Sequence, residues 1–458
     1  MTLAARHGLH LISFSFWGPG MVECWRRSTV LRYPAGQPQV LRAARYIYKC
    51  PIWPALVLLL HFPFSLLQQS SSYYLPALQV NTHIIPLITY TMASSDPPFL
   101  MLASPVSPPH SDDMDTSLEV PLEAPLEAPS GSPQDRLPNG VYVPMLAFFT
   151  PDDEIDVPTT QKHTARLLAA GVTGLVVHGS NGEAVHLSRK ERRVVIEAVA
   201  DTVRHEVDSH NPVPIVAGCS ASSEKETVEL CYEAREAGAT HALILAPGYY
   251  AGILNKDMIV EYFHNVATQS PIPILVYNFP AAANGVDLDS DTILRIAAHP
   301  AVVGVKLTCG NTGKLARLVV DAPKVRGGVD DFLVTGGSAD FILQGLVVGG
   351  HGTISGFANL APRACVKIGE LFEEGKFDDA RALQHEVARA DWLAIRYGFV
   401  GVKAAMPYFW GEGDRSATEP RLPFRALDQE GVSVQEIQDG MATVLQIERA
   451  LAASALAA

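Results

Sequence analysis

One lysine stands where a buried amine can attack a carbonyl group. Lys306 lies near the end of an apolar run, Val302–Leu307. Burying a charged ammonium in such surroundings is costly, so an amine placed there is favoured in its neutral form, which is the nucleophile toward a carbonyl carbon. The position equally suits a lysine whose stem is buried while its ammonium reaches solvent. The residue alone leaves both interpretations open.

Two other segments carry groups that would complement such a lysine. Tyr277 ends an apolar run, and its hydroxyl can relay a proton to and from carbinolamine and enamine intermediates, although a packed aromatic is the simpler interpretation. In Gly179–Glu183, two glycines flank Ser180 and Asn181, so backbone and side-chain donors can cradle a carboxylate, although an ordinary turn has the same composition. Together with Lys306, these parts predict a Schiff-base aldolase acting on a 2-oxo acid.

A regular alternation of strand-like and helix-like segments positions these residues. After Asn139, near-continuous apolar runs predict eight parallel strands covered on both faces, at Val141–Phe149, Gly174–Val177, Pro214–Ala217, Ala242–Leu245, Ile274–Tyr277, Val302–Leu307, Phe332–Thr335 and Thr353–Ser355. This rhythm predicts a (β/α)8 TIM barrel over residues 139–360. The alternative, an open doubly wound sheet, usually carries a glycine-rich loop after its first strand, and Phe149–Asp152 is not one.

Helices are expected between the strands and beyond the barrel. Ser188 and Ser223 each precede a glutamate by three residues, which predicts capping boxes at the starts of helices Ser188–Glu206 and Ser223–Ala237. A further helix is expected at Asp289–His299. Residues 361–458 are expected to form a C-terminal helical extension, with helices at Ala361–Glu374, Phe377–Tyr397 and Val434–Leu456.

Residues 1–138 differ from the rest of the chain in composition and in the pattern of apolar residues. Met1–Thr91 carries several arginines and the single acid Glu23, and its apolar run Ile52–Leu67 is too short and too interrupted to span a bilayer. Ser94–Pro138 is rich in proline, serine and acids, which predicts a disordered linker. We expect a leader that is no part of the working protein, with a mitochondrial transit sequence as the alternative.

The overall composition excludes some classes of partner. The 458 residues include 35 Lys and Arg against 48 Asp and Glu, which argues against a nucleic-acid-binding surface, and no membrane segment is expected. The six cysteines show no metal-ligand spacing and fit a reducing compartment. The expected location is therefore cytoplasmic, with mitochondrial as the alternative, and the expected partner is a small molecule.

The chain resembles the dihydrodipicolinate synthase / N-acetylneuraminate lyase family over about residues 139–450. The motifs that carry the resemblance occur in the family's order on the predicted strands: Gly179–Glu183, Tyr277–Pro280, Gly304–Lys306, Gly349–Gly352 and Thr353–Gly356. The resemblance implies that Lys306 forms the Schiff base and Tyr277 relays protons. Ser180, also counted among the catalytic residues, and Asn181 would bind the substrate carboxylate.

The same resemblance implies further site residues and an assembly. Gly336 and Ile354 would line the site through their backbones. Tyr249 matches a tyrosine that crosses a subunit interface in many members, which implies a homo-oligomer, either a dimer or a homotetramer. The family's chemistry requires no cofactor and no metal.

Departures from the family's lysine-pathway synthases bear on the substrate. Those synthases carry Gly-Thr-Thr-Gly-Glu and an arginine after the tyrosine motif, whereas this chain has Ser180 and Asn181 and reads Ala281–Asn284 without an arginine. This form resembles 4-hydroxy-2-oxoglutarate aldolase and the fungal 2-keto-3-deoxy-sugar-acid aldolases, in which Thr308 would contact the distal part of the substrate. We therefore expect cleavage of a 4-hydroxy-2-oxo acid to pyruvate and an aldehyde. Condensation of pyruvate with aspartate semialdehyde by a dihydrodipicolinate synthase is the alternative.

Two rival classes of protein remain at this point. A metal-dependent aldolase would use histidine ligands, but His178, His186 and His351 lack the paired spacing of such sites. A non-catalytic barrel is disfavoured by the presence of both Lys306 and the tyrosine. Lys403 lies in the helical tail and not at a strand end, so a structural role is expected for it.

Overall fold

The computed structural model describes residues 2–6, 9–13, 31–34, 137–208, 212–411, 418–427 and 434–457. The chain divides into two units, Met1–Ser117 and Leu118–Ala458. In the first unit, three short strands pair in an antiparallel sheet, at Thr2–Arg6, Leu9–Ser13 and Leu31–Pro34. The apolar run at 52–67 and the expected linker as far as residue 136 are not among the described residues. The disorder expected for the linker therefore stays a prediction.

The second unit is built on a closed parallel barrel. Its strands are β1 Gly140–Pro144, β2 Gly174–Val177, β3 Ile215–Gly218, β4 His241–Leu245, β5 Ile274–Asn278, β6 Val302–Leu307, β7 Leu333–Gly336 and β8 Gly352–Ile354. Each strand pairs in parallel with its neighbours in the chain, and β8 pairs with β1 to close the ring. The predicted (β/α)8 TIM barrel is confirmed.

Both faces of these strands are buried, which explains their near-continuous apolar sequences. Alternate residues fill the interior of the barrel, where Tyr142, Val176, Leu243, Leu275 and Ile354 belong to one apolar cluster. The residues between them, such as those at 141, 143, 175 and 177, pack outward into the larger core shared with the helices. Two layers of apolar contacts therefore fix every strand, and the strand ends are held with little freedom.

Ten helices are described in this unit. They are α1 Val157–Ala169, α2 Arg189–Glu206, α3 Glu224–Ala237, α4 Lys256–Gln269, α5 Ser290–Ala297, α6 Thr312–Val325, α7 Ile342–Val347, α8 Pro362–Glu373, α9 Phe377–Trp410 and α10 Val434–Ala457. The helix α8 follows β8 directly, so the helical extension beyond the eight βα units consists of α9 and α10. No helix among the described residues is both long and apolar enough to cross a bilayer.

The predicted capping boxes are confirmed at one helix and half confirmed at the other. At α2, the Ser188 hydroxyl accepts a hydrogen bond from the Glu191 backbone N–H, and the Glu191 carboxylate accepts one from the Ser188 N–H. At α3, the Ser223 hydroxyl accepts from the Glu226 N–H. The Glu226 carboxylate instead lies 3.5 Å from a guanidinium nitrogen of Arg189, because α2 and α3 are neighbours in the ring.

Two predicted boundaries were wrong. The first strand was expected to reach Phe149, but it ends at Pro144. The apolar residues after it are still buried, and the Phe149 ring packs against side chains of the C-terminal segment. The helix expected to end at Tyr397 resumes after a non-helical Gly398 and continues to Trp410. In both places an apolar run continues across a change in backbone geometry.

Candidate active site

Lys306 lies inside the barrel with its side chain 2% exposed. In the strand register it pairs with Tyr277 on one side and with Thr335 on the other. Its Nζ is 4.4 Å from the centroid of the Tyr277 ring. The alternative in which the ammonium reaches solvent does not fit this burial, and the amine is enclosed at the C-terminal end of β6, where barrels of this kind carry their chemistry.

Tyr277 connects this lysine to the loop His178–Glu183, called here the cradle loop. Its ring is 4% exposed and stacks on Phe279, with 5.7 Å between the ring centroids. Its hydroxyl oxygen lies 3.4 Å from Ser180 Oγ, and either group can donate in that hydrogen bond. Lys306, Tyr277 and Ser180 therefore form a row at the mouth of the barrel, with the lysine amine against the tyrosine ring and Ser180 against the tyrosine hydroxyl.

The cradle loop is held closely by its neighbours. A Cβ at Gly218, at the end of β3, would lie 2.0 Å from the His178 carbonyl oxygen, so the backbones approach too closely for any side chain there. A Cβ at Gly356, just after β8, would lie 2.8 Å from both terminal atoms of the Asn181 amide. The loop thus rests between the ends of β3 and β8, and Asn181 faces the segment that follows Ile354.

A buried hydroxyl and two glycines line the next part of the mouth. The Thr308 Oγ1 atom is buried and has no hydrogen-bond partner in the structure. A Cβ at Gly337 would lie 2.2 Å from that atom, and a Cβ at Gly336 would lie 2.8 Å from the Phe341 ring, so both positions require glycine. An unpartnered buried hydroxyl is costly, and a hydroxyl or carboxylate of a ligand would satisfy it.

Tyr249 is not brought to this row. Its side chain is 77% exposed, and its ring contacts Tyr250 at 4.8 Å between centroids. Both tyrosines line a surface groove of about 430 Å³ beside α4, together with Met258. Within one copy of the chain, this predicted site residue therefore lies on the outer surface.

The three histidines considered as metal ligands have separate environments. Burial lowers the pKa of His178 to about 3, and its Nε2 is an unpartnered buried atom. His186 Nδ1 lies 3.0 Å from a carboxylate oxygen of Glu183, while His351 Nδ1 accepts the Val334 backbone N–H at 2.8 Å. Among the described residues, no three His, Cys, Asp or Glu side chains are grouped as metal ligands.

One polar cluster beside the cradle was not predicted from the sequence. Lys403 in α9 is fully buried and lies 2.5 Å from Glu183 Oε1, and the backbone N–H of Arg421 donates to the other oxygen of the same carboxylate. Lys403 is the one charged residue in the otherwise apolar stretch Gly401–Met406. A single charge on an apolar helix face indicates a buried partner, although it does not say which residue that partner is.

Comparison with known families agrees with this geometry. The model of the dihydrodipicolinate synthetase family matches residues 137–437 of the chain. A protein of Emericella nidulans named "Probable 4-hydroxy-2-oxoglutarate aldolase, mitochondrial" is 45% identical over 314 residues, which cover 68% of this chain and 96% of that protein. The L-threo-3-deoxy-hexylosonate aldolase of Hypocrea jecorina is 42% identical over 318 residues, which cover 69% of this chain and 98% of that enzyme.

Solved structures show the same fold. A dihydrodipicolinate synthase family protein of Coccidioides immitis superposes with a TM-score of 0.60 at 35% identity, covering 69% of this chain and 98% of that one. The prophage protein YagE of E. coli K12, solved in complex with pyruvate, gives a TM-score of 0.57 at 26% identity, covering 68% and 98% of the two chains. These matches cover nearly the whole length of both solved chains.

Proposed function

Because the chain belongs to the dihydrodipicolinate synthetase family, we propose that it cleaves a 4-hydroxy-2-oxo acid to pyruvate and an aldehyde through a Schiff base on Lys306. The chain is an aldolase, a carbon–carbon lyase. The observation that carries the assignment of Lys306 is its burial against Tyr277, whose hydroxyl in turn lies 3.4 Å from Ser180 Oγ.

Each group in the row has a defined task in this reaction. The neutral amine of Lys306 adds to the C2 carbonyl, and Tyr277 transfers the protons that turn the carbinolamine into an iminium ion and water. Tyr277, which has given up its proton in that step, then accepts the proton of the C4 hydroxyl as the C3–C4 bond breaks, which releases the aldehyde and leaves an enamine on the lysine. Protonation of the enamine at C3 and hydrolysis of the iminium ion release pyruvate and restore the amine.

The C1 carboxylate of the substrate would be bound by the cradle. Ser180 and Asn181 offer a hydroxyl and an amide beside the backbone N–H groups of the loop, which are suited to a planar anion. The Ser180 hydroxyl also hydrogen-bonds with Tyr277, so the carboxylate and the proton relay are adjacent. With its carboxylate in the cradle, a 2-oxo acid would present C2 to Lys306.

Neutral groups around the distal half of the site favour a hydroxylated substrate. The segment Ala281–Asn284 carries no arginine, and its backbone packs on the β4 loop so closely that a Cβ at Gly248 would lie 2.7 Å from the carbonyl carbon of Ala283. Thr308 offers a buried hydroxyl without a partner. We propose 4-hydroxy-2-oxoglutarate or a 2-keto-3-deoxy sugar acid as the substrate, which agrees with the names of the two relatives.

A direct comparison of substrates tests this proposal. The values of kcat/KM are measured for cleavage of 4-hydroxy-2-oxoglutarate, for cleavage of a 2-keto-3-deoxy sugar acid and for condensation of pyruvate with aspartate semialdehyde. One of the two cleavage reactions should exceed the condensation, because a site built for hydroxyl groups rejects analogues without them by as much as ~10⁴-fold. A higher value for the semialdehyde reaction would replace the proposal with the lysine-pathway synthase.

We also propose that the enzyme is a homo-oligomer in which the Tyr249 surface is covered by a second copy. Tyr249, Tyr250 and Ile253 are 77%, 64% and 78% exposed in one copy, and such clustered apolar surface is typical of subunit interfaces. Analytical ultracentrifugation distinguishes a monomer from a dimer or a tetramer. A monomer at micromolar concentration would contradict the proposal.

For the compartment, we propose the mitochondrial alternative in place of the cytoplasmic expectation. Residues 1–91 carry several arginines and one acid, a composition that fits a transit sequence, and the names of two relatives include the word mitochondrial. A fluorescent fusion to the full chain should enter mitochondria, whereas a fusion starting at residue 131 should not. Equal distribution of the two fusions would refute this assignment.

A further inference from the structure

The loop that presents Ser180 and Asn181 has a backbone that its own sequence does not favour. The residues at its two ends, His178 and Glu183, have φ angles of +57° and +47°. Residues other than glycine rarely adopt this left-handed region of backbone conformation. Such a conformation persists only where the surroundings determine it. Contacts from outside the loop must therefore hold both ends in place.

At the second end, the contacts converge on one carboxylate. Lys403 Nζ lies 2.5 Å from Glu183 Oε1, while the Arg421 backbone N–H and His186 Nδ1 each lie 3.0 Å from Oε2. The Glu183 side chain is 0% exposed. A carboxylate this deeply buried is stable only while its charged partner remains beside it.

Lys403 is itself fixed from several directions. It lies 4.6 Å above the centroid of the Phe149 ring and donates a second hydrogen bond to the Glu419 carbonyl oxygen at 2.9 Å. Burial lowers the pKa of Lys403, and the attraction of Glu183 opposes that shift. The lysine thus joins α9, the loop after β1 and the segment 418–427 to the end of the cradle loop.

We propose that the buried ion pair between Lys403 and Glu183 positions Ser180 and Asn181, so that Lys403 is a positioning residue for binding of the substrate carboxylate. This inference rests on the proposed function, in which those two side chains bind that group. Without the ammonium, the unpaired carboxylate would move toward water and relax the left-handed backbone at position 183. The donors two and three residues earlier in the loop would then leave their positions.

The experiment traps the imine that pyruvate forms with the full-length protein. Borohydride reduces the imine, and the mass of the protein reports the fraction modified at each pyruvate concentration. Lys403→Met keeps the apolar stem and removes the charge. The half-saturating pyruvate concentration should rise about tenfold, the effect of weakened hydrogen bonds to a charged ligand group. The trapping rate at saturating pyruvate should stay within about threefold, because Lys306 and Tyr277 are unchanged.

Glu448→Gln is the matched control. Glu448 is a buried carboxylate of the C-terminal helices, and it accepts hydrogen bonds from the backbone N–H groups of Arg363 and Ala364 at the start of α8. Its partners do not belong to the cradle. The variant should bind pyruvate within about twofold of the wild type, as expected for an independent site. An equal rise in Glu448→Gln and Lys403→Met would overturn the proposal.

Ser180→Ala separates the inference from the proposed function. If Ser180→Ala raises the pyruvate requirement and folded Lys403→Met does not, the ion-pair proposal is refuted while the cradle stands. If Ser180→Ala has no effect, the cradle itself is refuted and the inference with it. If the double variant Ser180→Ala/Lys403→Met raises the half-saturating pyruvate concentration by less than the product of the two single increases, the two residues act through a shared mechanism.

A second variant decides the case in which Lys403→Met does not fold. Glu183→Gln keeps the shape of the side chain, and Lys403 can lose its proton to avoid an unpaired buried charge. The half-saturating pyruvate concentration should then rise by at least about threefold, the effect of losing one charge-assisted hydrogen bond. A folded Glu183→Gln protein with the wild-type pyruvate requirement would overturn the proposal.

Discussion

Replacement of Tyr277 by phenylalanine separates the chemistry of the hydroxyl from the packing of the ring. The ring is 4% exposed and stacks on Phe279, and Lys306 Nζ lies over it at 4.4 Å from the centroid. Phenylalanine preserves all of these contacts. Only the hydroxyl and its hydrogen bond with Ser180, at 3.4 Å between the oxygen atoms, are lost.

The expected effects on stability and on catalysis differ widely. A long hydrogen bond of this kind contributes at most about 1 kcal/mol to the free energy of unfolding. Loss of a positioned proton donor and acceptor lowers the rate by roughly 10²- to 10⁴-fold. That loss corresponds to about 3–5 kcal/mol in the activation barrier. Tyr277→Phe should therefore unfold at nearly the wild-type urea concentration while kcat falls by at least a hundredfold.

Ser180→Ala is the control that completes the assay. It removes the same hydrogen bond but keeps the phenol, so its main effect should be on KM, through the substrate carboxylate. The rate of pyruvate release is followed with lactate dehydrogenase for both variants. A kcat for Tyr277→Phe within tenfold of the wild type would show that another group or a water molecule carries the protons. The assignment of the tyrosine would then be wrong.

The remaining predictions concern the covalent lysine and a buried histidine. Pyruvate with borohydride should modify Lys306 and leave Lys403 unmodified, and a peptide map with the adduct on another lysine would exclude Lys306. The variant Lys306→Arg should have no turnover, because a guanidinium forms no imine. Burial lowers the pKa of His163 to about 4, so the unfolded chain binds a proton below pH ~6.5 that the folded protein does not, and stability is lost as the pH falls from there toward 4. The stability advantage of the wild type over His163→Gln should shrink by about 2 kcal/mol between pH 7 and pH 5 in urea unfolding, and an advantage that is constant or grows would contradict the pKa.

Most of the barrel could be predicted from the sequence because both faces of each strand are buried. A run such as Val302–Leu307 is apolar at every position except Lys306, and its observed bounds coincide with the predicted ones. The helix cap at Ser188 could also be predicted, since a capping box depends on two residues that are three positions apart in the sequence. The end of β1 could not be predicted, because the residues up to Phe149 stay buried and apolar after the strand has ended, with Phe149 itself packed against the C-terminal segment.

The candidate site was predictable where its groups follow strand ends and not where distant elements meet. Lys306 and Tyr277 end neighbouring strands of one barrel, so their approach follows from the fold alone. The pair of Lys403 and Glu183 joins residues 220 positions apart in the sequence, and no local pattern specifies that contact. For Tyr249 the situation is reversed: the family resemblance predicts it as a site residue, whereas in a single copy of the chain its side chain lies on the surface.

The C-terminal helix α9 contacts the site loops at two places, which argues that this helix belongs to the catalytic architecture. In α9, Gln384 accepts the Leu343 N–H at 2.8 Å and donates to the Ala339 carbonyl at 2.8 Å, and Asp391 accepts the Ala339 N–H at 2.7 Å. These bonds fix the loop that follows Gly336, on the β7 side of the mouth. Lys403, further along the same helix, fixes the cradle loop on the β2 side. The two helical halves of α9, joined at the non-helical Gly398, therefore contact two site loops whose strands are not neighbours, a link that strand pairing alone does not provide.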